Sequence, residues 1–226
     1  MEQSRATKDP LAVERVMRRR KIQWALAPIV IITISLGWKY PAVGYAVPVV
    51  MLMGIICSLF NGRYACGNLC PRGAFFDRYF GWARKGRRIP TALRSPWLRW
   101  FLFTALMAFM VFRITRNPGS WEHWGRVFWL LCVLTTGAGV ALAVLVHPRA
   151  WCSLICPMGT MQNALGGEKG SYQIKSSCKE CRTCEKACPM DLTIVIHKAE
   201  GVLRERDCLK CLECAAACPS GSVRVR

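Results

Sequence analysis

A chain of 226 residues in which 53% of side chains are hydrophobic, clustered mainly between residues 24 and 146, is too apolar and too uneven for an ordinary soluble domain. The formal charge of +19 would suit a nucleic-acid binder, but the cations flank apolar spans on one side, which argues for a membrane protein that binds no nucleic acid. Fourteen cysteines would suit a disulfide scaffold, yet twelve fall into runs of period three or four, most ending in Cys-Pro, which is the spacing of metal ligands.

In chain order, residues 1–21 form a basic N-terminal segment ending in Arg18-Arg19-Arg20-Lys21. No small-residue cleavage site follows the next apolar stretch, so a retained anchor is expected. Four apolar segments, at 22–38, 43–60, 97–112 and 127–147, approach the roughly 17 to 25 helical residues that cross a bilayer. Arg99 lies near the start of the third, where a long side chain is expected to snorkel to the interface. Seven Lys and Arg precede the first span and eight lie in the connection 61–96, against one at Lys39 and two in 115–126. This predicts a multi-pass membrane protein with both termini cytoplasmic.

The second span exits into Arg63-Tyr64-Ala65-Cys66-Gly67-Asn68-Leu69-Cys70-Pro71-Arg72-Gly73, and the fourth into Arg149-Ala150-Trp151-Cys152-Ser153-Leu154-Ile155-Cys156-Pro157-Met158-Gly159. Each half is thus a helical hairpin followed by C-x3-C-P-x-G, then a short amphipathic stretch (74–82 and 160–165) suited to the interface. The predicted architecture is a membrane α-helical bundle of four transmembrane helices in two duplicated hairpins (22–165). A small α+β domain (166–226) follows it.

That last domain reads Cys178-x2-Cys181-x2-Cys184-x3-Cys188-Pro189 and then Cys208-x2-Cys211-x2-Cys214-x3-Cys218-Pro219, which resembles the bacterial two-cluster ferredoxins. By the rule of those proteins Cys178, Cys181, Cys184 and Cys218 would hold one [4Fe-4S] cluster and Cys208, Cys211, Cys214 and Cys188 the other. Four thiolates also suit zinc, but a zinc site does not call for two copies of a run ending in Cys-Pro. Residues 192–203 read as a small hairpin, with His197 a surface residue at its edge.

Cys66, Cys70, Cys152 and Cys156 admit three readings: joint ligation of a third metal centre, two reversible disulfides within the pairs, or reduced structural thiols. Residues four apart share a helix face, so each pair is expected to aim its sulfurs the same way. Cys57 and Cys132 lie in spans and read as packing residues, as do Met51, Met53, Met107 and Met110. His123 falls in an outer loop. His147, near Cys152, is either a proton acceptor at a quinol site or an interfacial histidine beside Pro148.

Four spans, C-x3-C-P after the second and fourth, and a two-cluster tail together resemble the NapH/MauN group of ferredoxin-type membrane proteins. The resemblance implies electron transfer from membrane quinol to a redox protein partner: a ferredoxin-type subunit, a cytochrome or a terminal reductase. The systems it implies are periplasmic nitrate reduction and methylamine utilisation, in a bacterial inner membrane, with quinol dehydrogenase-like activity. Two alternatives stand beside it. One is a copper-handling or cupric reductase-like assembly factor, disfavoured because the chain stops soon after Cys218; the other is a membrane anchor for a redox complex. No G-x-G-x-x-G fingerprint marks a nucleotide site, so function is expected to depend on partners.

Overall fold

The computed structural model describes residues 9–84, 89–90 and 94–225. Residues 1–8 of the basic N-terminal segment, and Lys85, Arg87 and Arg88 of the second basic connection, lie outside the described residues.

Helix α1 (Pro10–Gly37) starts well before the predicted span. Asp9 caps it, its carboxylate accepting from the amides of Leu11 at 3.1 Å and Ala12 at 3.4 Å, and Pro10 opens the first turn. From Pro10 on, the basic segment is therefore continuous with the first span. Ala12, Val16, Arg19, Gln23, Ala27 and Val30 recur every three or four residues and form one buried stripe through both the charged and the apolar portions.

A 3-10 turn (Pro41–Tyr45) leads into α2 (Ala46–Asn61), and α5 (Pro96–Thr115) and α6 (Trp121–Leu145) complete the four long apolar helices. Their outward faces carry large apolar side chains, among them Leu52, Ile56, Phe101, Phe112 and Leu134, which suits lipid rather than water. The backbones approach closely where Gly44 meets α6: a Cβ there would lie 2.0 Å from the Gly125 carbonyl oxygen.

Between the long helices the repeat is visible as two matching pairs of short ones. These are α3 (Tyr64–Asn68) with α4 (Pro71–Tyr79), and α7 (Ala150–Leu154) with α8 (Pro157–Gly166). Helix α4 packs on α1 and α8 on α2.

In the C-terminal domain β1 (Tyr172–Ile174) pairs antiparallel with β2 (Val223–Val225), Tyr172 opposite Val225. Two one-turn helices, α9 (Thr183–Ala187) and α10 (Glu213–Ala217), carry the middle of each cysteine run. The hairpin expected at 192–203 does not form. Glu185 Oε1 accepts from the amides of Ile194 at 2.8 Å and Val195 at 3.0 Å, which curls the segment into a 3-10 turn (Val195–Lys198). Val202 and Leu203 pair with β1 instead: Gln173 bridges Val202, and the Leu203 amide donates to the Tyr172 carbonyl at 2.8 Å.

Candidate metal centres

The two C-terminal cysteine runs fold as near-copies. Glu180 and Arg182 in the first, and Lys210 and Leu212 in the second, hold positive φ at matching places, and Asp191 and Gly221 match three residues after the last cysteine. Left-handed conformations cost a side-chain-bearing residue roughly 1–2 kcal/mol each, so the loops are held there by their surroundings. Alternating hand turns successive amides inward, which builds a concave nest for an anionic group. A sulfide-rich cubane is such a group, and the fit is independent of the cysteine count.

Cys188, Cys208, Cys211 and Cys214 line one cavity together with Tyr172, Met190, Leu192, Ile194, Leu203 and Leu209. The crossing cysteine of the first run thus sits among three from the second. Burial among apolar side chains pushes the Cys188 thiol up to about 12 and the Cys211 thiol up to about 11. A cluster held there would displace the protons of these thiols. On the other side burial raises the Cys184 thiol to about 11, and Cys218 and Cys178 are near enough to add to the rise. Cys218 accepts from the Ser222 amide at 3.4 Å and lies 3.5 Å from the Ser220 hydroxyl. Cys181 is exposed at the outer edge, where the Thr183 hydroxyl at 3.4 Å lowers its thiol. Among the described residues no three His, Cys, Asp or Glu converge tightly enough to grip one ion. A cubane spreads its ligands over four irons, whereas zinc draws sulfur to about 2.3 Å of a single centre.

The C-x3-C-P pairs do not share a helix face as expected. Cys66 and Cys152 lie inside α3 and α7, while Cys70 and Cys156 are the extended residues capping α4 and α8. Proline disfavours the helical conformation in the residue before it, so the helix breaks at each second cysteine and restarts at Pro71 and Pro157. The break brings all four sulfurs into one neighbourhood. Burial pushes the Cys66 thiol up, Arg63 pulls against it, and Cys70, Cys156 and Cys152 add to the rise. Burial likewise raises Cys70, with Cys152 and Cys156 beside it.

Two buried arginines, each three residues before the first cysteine of its pair, cross between the halves. Arg149 donates to the Cys66 carbonyl at 3.3 Å and to the Cys152 sulfur at 3.7 Å. Arg63 donates to the Cys152 carbonyl at 2.9 Å. The motif glycines make room for them: a Cβ on Gly73 would lie 2.6 Å from Arg149 Nη1, and one on Gly159 2.7 Å from Arg63 Nη2. Each arginine meets a buried carboxylate. Arg149 grips Asp77 through two bonds of 2.8 and 2.6 Å, with Arg19 at 3.0 Å and Gln23 at 2.9 Å. Despite burial, these guanidiniums and the amide bring the Asp77 carboxyl down to about 2. Arg63 meets Asp207 of the C-terminal domain at 2.5 Å, with Arg99 and Asn163 on the same carboxylate. Arg99 therefore does not snorkel. It is the buried residue of α5, and it is ion-paired inside the protein.

Arg63, Asp77, Arg149 and Asp207 were absent from the candidate residues read from sequence. The one signal that could have found the arginines is the extended repeat R-x2-C-x3-C-P-x-G.

A cavity of about 180 Å3 opens between all four long helices, walled by Val30, Val47, Met107, Met110, Phe128 and Leu131 and floored by Cys70, Arg72 and Cys156. Met51 and Cys132 also line it. Arg72 stacks over Trp151 at 4.9 Å, and its Nε and Nη2 are buried without a hydrogen-bond partner among the described residues. His147 does not line this cavity. Its buried ring accepts from the Arg149 amide at 3.2 Å, and burial holds it neutral with a pKa near 4, lowered to about 4 from the ordinary 6.5. His197 is half-buried between Glu200 and Glu205.

The two cysteine-rich regions touch. A Cβ on Gly67, next to Cys66, would lie 2.3 Å from the carbonyl oxygen of Leu209, next to Cys208.

A family model described as a 4Fe-4S binding domain matches residues 43–90 and again 125–170, and one described as a 4Fe-4S dicluster domain matches 177–223. With four apolar helices and these domains, the chain is a multi-pass membrane iron-sulfur protein of electron transfer. Its homologues include the methylamine utilization ferredoxin-type protein MauN of Paracoccus denitrificans, 27% identical over 180 residues covering 73% of this chain and 61% of that protein. The ferredoxin-type protein NapH of Escherichia coli is 23% identical over 186 residues, covering 74% of this chain and 63% of its own length. An uncharacterized protein of Methanocaldococcus jannaschii is 22% identical over 179 residues, 76% of this chain and 68% of that one. The matched region is thus under two thirds of MauN and of NapH. No solved structure matches the chain.

Proposed function

We propose that this protein oxidises a membrane quinol within the four-helix module and delivers the electrons, through the C-terminal domain, to a docked redox protein. The observation that carries the reading is the apolar cavity between the spans whose floor is Cys70, Cys156 and Arg72. Apolar walls suit an isoprenoid quinol and exclude water, and the unpartnered donors of Arg72 suit a quinol or quinone oxygen. Oxidation of one quinol to quinone releases two electrons and two protons. Iron-sulfur clusters, when bound, supply one-electron storage and transfer. Cys178, Cys181, Cys184 and Cys218 would hold one [4Fe-4S] cluster, and Cys208, Cys211, Cys214 and Cys188 a second. Cys66, Cys70, Cys152 and Cys156 would hold a third centre at the junction of cavity and tail. The exposed edge at Cys181 is the face offered to the partner.

By analogy with relatives named for methylamine utilization, and with NapH, the partner is a respiratory reductase or maturation system with its own ferredoxin-type subunit or cytochrome. The distribution of Lys and Arg supports an inner-membrane location with both termini cytoplasmic. The test is iron and sulfide analysis with EPR of the purified protein, before and after addition of menaquinol and ubiquinol analogues. About twelve irons per chain, reducible by a quinol, are expected; about eight would leave the C-x3-C-P cysteines empty. Clusters that dithionite reduces but no quinol does would overturn the donor.

A further inference from the structure

At one partly buried position the two halves of the membrane module differ in charge. Seven residues after the second cysteine of each pair stands Asp77 in the first half and Asn163 in the second. Asp77 receives Arg149, Arg19 of the opening helix of its own half, and the amide of Gln23. In the second half the matching arginine, Arg63, and Arg99 of the corresponding opening helix have no carboxylate from the repeat itself. They converge on Asp207, to which Asn163 also donates, at 2.7 Å. Two arginines, one carboxylate and one amide make up each site.

Resting on the electron route proposed above, we infer that Asp207 is a positioning residue: it stands in for the carboxylate that the second repeat lacks, and so seats the C-terminal domain on the membrane module. The consequence lies in its neighbours. Asp207 precedes Cys208, and Leu209 beyond it packs on Gly67, beside Cys66. Arg63, only 1% exposed, joins Asp207 to the Cys152 carbonyl. One side chain therefore ties the first cysteine of the second C-terminal run to both halves of the C-x3-C-P group. Glu213 adds a second tie, to Arg19 at 2.9 Å and Arg20 at 2.8 Å.

The experiment compares the full-length protein with Asp207→Asn, with Asn163→Asp and with the double variant, in membranes. Each is scored for iron content, for the EPR signal after dithionite, for the rate of quinol-driven reduction of the C-terminal clusters, and for protease cleavage of the 167–171 connection. Asp207→Asn leaves two buried guanidiniums uncompensated. It is expected to slow quinol-driven reduction by about tenfold or more and to expose the connection, while the dithionite signal persists. Asn163→Asp alone places two carboxylates together and is also impaired. The double variant returns the carboxylate to the repeat, as in the first half, and is expected to recover protease resistance and most of the rate. This recovery guards against Asp207→Asn simply failing to fold. Wild-type rate and protection in Asp207→Asn, or a double variant no better than it, overturns the inference. A wild-type protein that no quinol reduces overturns the donor instead, and the protease comparison still tests Asp207.

Discussion

Buried charge decides what single residues do here. Removing Arg149 leaves Asp77 without its main partner, and breaking such a buried pair costs about 3–5 kcal/mol. Arg149→Ala is expected to lose thermal stability in detergent by that order, and Arg149→Lys to recover only part of it, because Lys cannot make the two-bond grip on Asp77. His147 gives a pH signature. Its folded pKa is lowered below its unfolded value, so the unfolded chain binds the proton more readily and stability falls as pH drops from about 6.5 towards 4. The expected result is a thermal midpoint that declines across this window in the wild type and declines less in His147→Gln. Gly73→Ala and Gly159→Ala are each expected to lower iron content, since a Cβ there meets a buried guanidinium.

At the scale of elements, the long helices enclose a space, and filling it is informative. Leu106→Trp, on the α5 wall of the cavity, is expected to cut quinol-driven reduction by about tenfold or more while dithionite reduction stays normal. Equal losses with both reductants would point to damage elsewhere. Much of this level was legible in the sequence: four apolar runs mark the spans, and C-x3-C-P marks their exits. The ends were not. The charged start of α1 is helical because Ala12 and Val16 continue the buried stripe, a periodicity masked by the run of arginines. Helices α3 and α7 are five residues long, too brief to show a helical period, so the break at each second cysteine had to be read from Pro71 and Pro157. The hairpin failed at 192–203 because Glu185, a side chain of the preceding cysteine run, claims two of its amides.

In the whole molecule, ion pairs between segments more than a hundred residues apart join tail to membrane module, and such pairs leave no periodic trace. Asp207 with Arg99 is the example, where a sequence reading sees only a lone arginine near a span end. Crossed ligation of the two cysteine runs is what their resemblance to the two-cluster ferredoxins implies. It predicts that Cys188→Ser and Cys218→Ser damage different EPR signals, each silencing the cluster whose other ligands lie in the opposite run. The proposed sidedness predicts that Gly119→Cys reacts with an impermeant maleimide from the outer face, and Ser176→Cys only after the membrane is opened.

The five side-chain-bearing residues locked at positive φ around the C-terminal cysteines also bear on how the protein is made. A strained wrapping of that kind relaxes when nothing fills it, so before cluster insertion the tail is expected to be loose and its thiols open to delivery. Closing the wrapping around its contents would then present Asp207 and Glu213 to the waiting arginines. The order of biogenesis would be membrane insertion first, cluster loading second and docking last.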